Sequence, residues 1–125
     1  MWISDFEKVQ CSDIEMSIID CLYKPQYGSG ITEIVKAIYK VKDKIDQEKM
    51  LKYLERFDSQ VVLKRLGFIL FHMDIFLLLR RYIESNISKA YAPLDPSMPS
   101  EGKYHSKWSI LDNVGIKEAI NSLIT

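Results

Sequence analysis

The chain has 125 residues, of which 47% are hydrophobic and 27% are charged, and this is typical of one globular domain with its own core. We therefore expect a single domain over residues 1–125. Seventeen basic and seventeen acidic residues cancel, which argues against a protein whose overall charge attracts nucleic acid or acidic lipid. Residues 61–125 carry eight basic and six acidic groups, so a local anion-facing patch is favoured in this half.

The first element expected along the chain is a short strand, because residues 2–9 alternate imperfectly between apolar and polar types. Ser12 and Glu15 then have the spacing of a capping box at the start of a first helix. Helical spacing of apolar residues continues until Pro25, which cannot extend a helix.

Three further helices are predicted in the middle of the chain. Gly30 marks a turn, and residues 31–41 follow with apolar side chains at helical spacing. A third helix is expected from its cap Asp46 to Phe57, and a fourth begins at Asp58 or Ser59. The connections are a few residues each, so neighbouring helices are expected to pack together.

The stretch VVLKRLGFILFHMDIFLLLR, residues 61–80, is nearly all apolar and could be mistaken for a membrane span. Five polar or charged residues interrupt it too often for that: Lys64, Arg65, His72, Asp74 and Arg80. Apolar residues at helical spacing instead predict two amphipathic helices, the second of which is capped by Asp74. The sequence thus predicts five helices between residues 13 and 86, and no membrane segment.

The tail differs in composition, because its segment APLDPSMPSEG contains three of the four prolines of the chain and cannot be helical. Strands are expected on both sides of it, at Lys89–Leu94 and Tyr104–Leu111, before a final short helix over residues 116–123. The whole pattern predicts an α+β fold, in which about five short helices pack on a small sheet made of the N-terminal strand and these two C-terminal strands.

Alternation along the second tail strand suggests a basic surface. Its inner face would carry Tyr104, Trp108 and Ile110, and its outer face would carry Lys103, His105 and Lys107. Such a basic row could hold phosphates, or it could be the ordinary polar outer face of a strand. Both interpretations stay open at this point.

Two residues inside predicted helices call for a structural explanation. Asp20 lies two turns into the first helix, where a carboxylate is seldom buried unless it is paired, so we expect a contact with Arg65 or Lys64. Gly67 in a helix interior costs about 1 kcal/mol relative to Ala. Close approach of another backbone would offset that cost, and a hinge is the alternative explanation.

Motifs of enzymes and metal sites are lacking in the sequence. It contains no HExxH, no Walker-type loop and no GxGxxG, since YGSGIT supplies only two glycines. Cys11 and Cys21 are ten positions apart without a CxxC spacing, which predicts reduced thiols rather than a zinc site or a disulfide framework. The opening MWISDFEKVQ does not have the pattern of a secretion signal. We expect a cytoplasmic, non-enzymatic protein without a cofactor.

Four stretches taken together resemble the C-terminal domain of the AbiEi-type antitoxins, which are transcriptional regulators of abortive-infection toxin-antitoxin loci. They are SDIEMSIIDC (12–21), YGSGITEIVKAIY (27–39), VLKRLGFIL (62–70) and LDPSMPSEGKYHSKWSILDN (94–113). The resemblance implies an antitoxin that counteracts a nucleotidyltransferase-like toxin encoded next to it. It also implies an N-terminal winged helix that binds DNA, and this part has no counterpart in residues 1–125. Three explanations stay open: the chain is a fragment, it is a stand-alone homologue, or a separate protein supplies the DNA-binding module.

The resemblance also singles out individual positions. Those that match the family pattern are Glu15, Asp20, Gly30, Lys64, Arg65, Gly67, Gly102 and Trp108, and most of them are expected to be fold determinants. The expected anion-facing or partner-facing residues are Lys64, Arg65, Lys103, His105 and Lys107. The alternative hypotheses are a nucleic-acid-binding module in its own right and a domain that dimerises a regulator.

Overall fold

The computed structural model describes residues 14–23, 30–96 and 101–124. The helices in these ranges are α1 (Ile14–Tyr23), α2 (Ile31–Val41), α3 (Gln47–Phe57), α4 (Gln60–Met73), α5 (Leu77–Asn86) and α6 (Ile116–Ile124), with a 3-10 turn at Lys42–Lys44. The strands are β1 (Ala92–Pro93), β2 (Lys103–His105) and β3 (Ile110–Asp112). This arrangement confirms the α+β class, while the expected N-terminal strand, Ser12 and Pro25 lie outside the described residues.

Two of the expected caps begin helices in the structure. The Asp46 carboxylate accepts hydrogen bonds from the backbone N–H groups of Glu48 at 3.0 Å and Lys49 at 3.3 Å, and so begins α3. The Ser59 hydroxyl does the same for α4. Asp58, the alternative cap, instead ends α3 in the left-handed conformation, with φ of 49°.

Residues 61–80 form two helices, as expected, but the boundary between them differs from the prediction. Asp74 ends α4 in the left-handed conformation, with φ of 57°, and its N–H donates back to the last turn of that helix. The expectation that Asp74 begins the next helix is therefore wrong, because α5 begins only at Leu77. Among the described residues, no helix is both long enough and apolar enough to span a membrane.

The three-stranded sheet comes entirely from the tail. β3 is its central strand and pairs in parallel with β1 and antiparallel with β2. The expected continuous arm Tyr104–Leu111 is therefore wrong: residues 106–109 form a turn in which Ser109 has φ of 51°, and the chain folds back on itself. Gly102 directly precedes β2 and lies against the carbonyl oxygen of Asp112. A Cβ at Gly102 would therefore clash with the backbone of β3.

Helix α4 lies at the centre of the fold, because every side chain from Val62 to Leu70 is buried. Its Gly67 accommodates Trp108, since a Cβ at Gly67 would lie 2.7 Å from Trp108 Cε3 and 2.8 Å from Ile83 Cγ2. Packing thus offsets the cost of a helical glycine, although through two side chains and not through the backbone we expected.

Candidate functional site

Lys64 and Arg65 do not form part of a surface, because each has only 3% of its area exposed. Arg65 Nη1 donates to the carbonyl oxygens of Leu22 at 2.8 Å and Tyr23 at 3.4 Å, and Arg65 Nε donates to that of Pro93 at 3.0 Å. The expectation that these two cations face an anion is therefore wrong. Both side chains instead donate hydrogen bonds to oxygen atoms of the protein itself.

The C-terminus of α1 explains the position of Arg65. The last carbonyl groups of a helix have no partner within the helix, and a guanidinium can donate to several of them at once. Asp20 is exposed one turn earlier and forms no ion pair with Arg65 or Lys64, so the expected pairing is wrong. Burial lowers the pKa of Arg65 to about 10, and the charge of Asp95 opposes that shift.

Lys64 holds the chain that connects α5 to β1. Its ammonium donates to the Ser88 hydroxyl at 2.9 Å and to the carbonyl oxygen of Ala90. Gln60, one turn earlier on α4, donates to the carbonyl oxygen of Asn86 at 2.8 Å and accepts from the N–H of Ser88 at 2.7 Å. These contacts from one face of α4 hold the segment 86–90, which leads into β1. Burial lowers the pKa of Lys64.

Two buried carboxylates stabilise the starts of other helices. Glu15 Oε2 accepts from the N–H of Asp46 at 2.9 Å, just before α3, and Glu15 Oε1 lies 3.7 Å from Lys49 Nζ. Asp95 lies beside the N-terminus of α2, where a Cβ on Gly30 would be 3.4 Å from Asp95 Oδ2. A negative charge at a helix N-terminus is favourable, so both acids act within the fold.

The thiol of Cys21 is half-buried on α1. Burial raises its pKa to about 11, and the nearby charge of Asp20 contributes in the same direction. The thiol is therefore protonated at neutral pH and is a poor nucleophile. Cys11 lies outside the described residues.

The side chains of β2 face the opposite way from the expectation. His105 is the cross-strand partner of Ile110, which is fully buried, so both side chains point toward α4. The His105 ring centroid lies 4.7 Å from that of Phe68 and 6.1 Å from that of His72, both on α4. The alternation was misjudged because the turn at 106–109 reverses the chain before Trp108 reaches the core.

Lys107 extends this contact to the surface. Its Nζ lies 4.8 Å from the ring centroid of Phe71 and 5.5 Å from that of Trp108, which are cation–π distances. Phe71 in turn lies 5.3 Å from His72. We call His72, His105, Phe68, Phe71 and Lys107 the histidine cluster. Lys103 is exposed on the same strand as His105.

The surroundings of His72 favour its neutral imidazole. Burial lowers the pKa of His72 first, the positive charges of His105 and Lys117 lower it further, and Asp112 opposes them. His72 Nε2 is buried and has no hydrogen-bond partner among the described residues. The pairing of His72 with His105 was not predicted from the sequence, where the one available signal was that the chain has only two histidines.

Tyr91 and Tyr104 form an exposed aromatic pair on the opposite face of the sheet. Their ring centroids lie 4.9 Å apart at an interplanar angle of 83°, and the residues are 45% and 64% exposed. Tyr104 is the cross-strand partner of Leu111, which places it away from α4. The expectation of an inward-facing Tyr104 is therefore wrong. We call these two residues the tyrosine pair.

Comparison with protein-family models, with curated proteins and with solved structures finds no match to this chain. The resemblance to the AbiEi-type antitoxins therefore stays a hypothesis that depends on the four sequence stretches that carry it.

Proposed function

We propose that this chain is an antitoxin-type regulatory domain of an abortive-infection toxin-antitoxin system, acting in the cytoplasm without catalysis of its own. In this proposal it counteracts a nucleotidyltransferase-like toxin through direct protein contact. The resemblance over four stretches supports the class of protein. The observation that carries the contact surface is the tyrosine pair, whose rings pack on each other while both remain accessible.

Exposed tyrosines are suited to protein contact for physical reasons. Each offers a large apolar ring with few rotatable bonds and a hydroxyl that can hydrogen-bond at the rim of an interface. A ring already held by its neighbour loses less side-chain entropy when a partner binds. Lys103, next to Tyr104 in β2, adds a positive charge that can guide an acidic partner. Lys64 and Arg65 have no place in this surface, because they are buried.

Growth rescue tests the proposal. Cells that express the toxin encoded next to this chain should recover when the chain is co-expressed, and the double variant Tyr91→Ala, Tyr104→Ala should rescue at least tenfold fewer cells. Tyr23→Ala is the matched control, because Tyr23 is 46% exposed and also forms a T-shaped pair, with Phe57 at 5.2 Å. No rescue by well-folded wild-type chain would contradict the proposal.

A nucleic-acid-binding module is the second candidate, and the sheet supplies an observation in its favour. The ring of Tyr104 is 64% exposed on the sheet and could stack a base, while Lys103, exposed on the other face of the same strand, could contact a phosphate. This candidate predicts binding that weakens steeply with salt and falls when Lys103 and Lys107 are both replaced by Ala. The family resemblance instead assigns DNA binding to a separate winged-helix module.

A further inference from the structure

The two histidines of the chain meet where the tail joins the helices. His72 lies in the last turns of α4 and His105 ends β2, and the ring centroids are 6.1 Å apart at 88°. The ring of Phe68 contacts both, at 4.6 Å from His72 and 4.7 Å from His105. Three flat rings therefore lie together between β2 and α4.

The charged groups around this contact offer little compensation for added protons. Lys117 from α6 places a positive charge near His72, and Lys107 lies over the adjacent ring of Phe71. Asp112 from β3 is the neighbouring carboxylate, but its Oδ1 accepts from the backbone N–H of Gly115 at 2.8 Å, at the start of α6.

Asp74 is the acid at the end of α4, two residues after His72. Arg80 of α5 lies 3.5 Å from Asp74, so that carboxylate is already engaged by a cation. His72 Nε2 is buried without an acceptor among the described residues, so a proton added there would have no hydrogen-bond partner. Protonation of both imidazoles would therefore place two poorly compensated charges at the end of α4 and against β2.

We propose that the contact of His72 with His105 is a proton-sensitive clasp, which holds β2 against α4 when the imidazoles are neutral and releases it when they are protonated. Imidazole is the side chain that ordinarily changes charge between pH 5 and 8. The clasp is independent of the identity of any partner and goes beyond the proposed antitoxin role.

Release would act locally, because β2 is a three-residue strand that, among the described residues, pairs only with β3. Tyr104 is the middle residue of β2 and would move with the strand. Release of the clasp would therefore also separate Tyr104 from Tyr91. Acidification is therefore expected to remove the exposed aromatic surface while α1 to α5 stay folded.

Amide hydrogen exchange measured by NMR at pH 7.5 and pH 5.5, corrected for intrinsic rates, tests the clasp. We expect protection of the amides of β2 and β3 to fall at least tenfold at pH 5.5, while protection of residues 34–38 in α2 changes less than twofold. Unchanged protection of β2 and β3, or an equal fall in α2, would overturn the proposal.

Two single variants and one direct titration complete the test. His72→Gln and His105→Gln each leave one imidazole, so the local loss of protection at pH 5.5 should shrink at least threefold in either variant. Ring-proton shifts of the wild-type chain should show that protonation of one histidine ring perturbs the other, and this readout does not depend on how well a variant folds. Independent titration of the two rings would contradict the clasp.

Discussion

Arg65 Nη1 lies 2.8 Å from the carbonyl oxygen of Leu22, and this one contact connects the centre of α4 to the end of α1. The same guanidinium reaches Pro93 in β1, so a single side chain joins two helices and the sheet. Arg65, which the sequence suggests as an anion-binding residue, thus stabilises the fold.

Replacement of Arg65 should destabilise the protein far more than replacement of Asp20. Arg65→Met would leave buried carbonyl oxygens without donors, and we expect a loss of about 2–4 kcal/mol in the free energy of unfolding. Asp20→Asn should change it by less than about 0.5 kcal/mol, because Asp20 is exposed. Urea denaturation measures both, and an equal loss in the two variants would indicate that the residues pair after all.

Gly67→Ala should also be destabilising, which is the reverse of what an exposed helical site would show. The added methyl group would lie 2.7 Å from Trp108 Cε3, and overpacking of this kind costs about 1–3 kcal/mol. The same change made in a Trp108→Phe background should cost less, because the clash with the indole is relieved while the clash with Ile83 remains. Thermal denaturation of the four proteins in this cycle checks it, and a stabilised Gly67→Ala would refute the packing explanation.

The cap of α6 provides a third prediction. Asp112 Oδ1 accepts from the N–H groups of Val114 at 3.2 Å and Gly115 at 2.8 Å, so Asp112→Ala should cost about 1–2 kcal/mol of unfolding free energy. Asp43→Ala is the control, since the Asp43 side chain is 94% exposed and should tolerate the change. Equal effects in the two variants, measured by chemical denaturation, would show that the cap contributes nothing.

The pH dependence of the free energy of unfolding should show the effect of the lowered pKa of His72. The folded state lowers the pKa of His72, so the unfolded chain binds a proton more readily. The stabilising effect of neutral His72 is therefore complete above about pH 6.5 and is lost as the pH falls below that value. The wild type should lose stability relative to His72→Gln between pH 7 and pH 5, and a constant difference across that range would contradict this assignment.

Local signals in the sequence were sufficient for the helices and their order. Asp46 and Ser59 begin helices because a short polar side chain next to an apolar periodic run has few other roles. Asp74 was misassigned because Asp serves at either end of a helix, as an N-cap or in the left-handed conformation after the last turn. Only the position of the following helix decides between these roles.

The tail and the candidate surface depend on contacts that the sequence does not show. The turn at 106–109 contains no glycine or proline, and Ser109 adopts a positive φ that a serine gives no reason to expect. The direction of every side chain in β2 follows from that turn. Likewise, Lys64 and Arg65 are buried because carbonyl groups more than 20 residues away need donors, which is a tertiary relationship.

The most direct test of the proposed function is the affinity of the purified chain for the purified toxin encoded next to it, measured by isothermal titration calorimetry. We predict a complex with equal numbers of the two proteins. The double variant Tyr91→Ala, Tyr104→Ala should weaken its affinity at least tenfold, and Tyr23→Ala should leave the affinity within twofold of the wild-type value. A well-folded chain that shows no binding, or a complex that both variants weaken equally, would contradict the account.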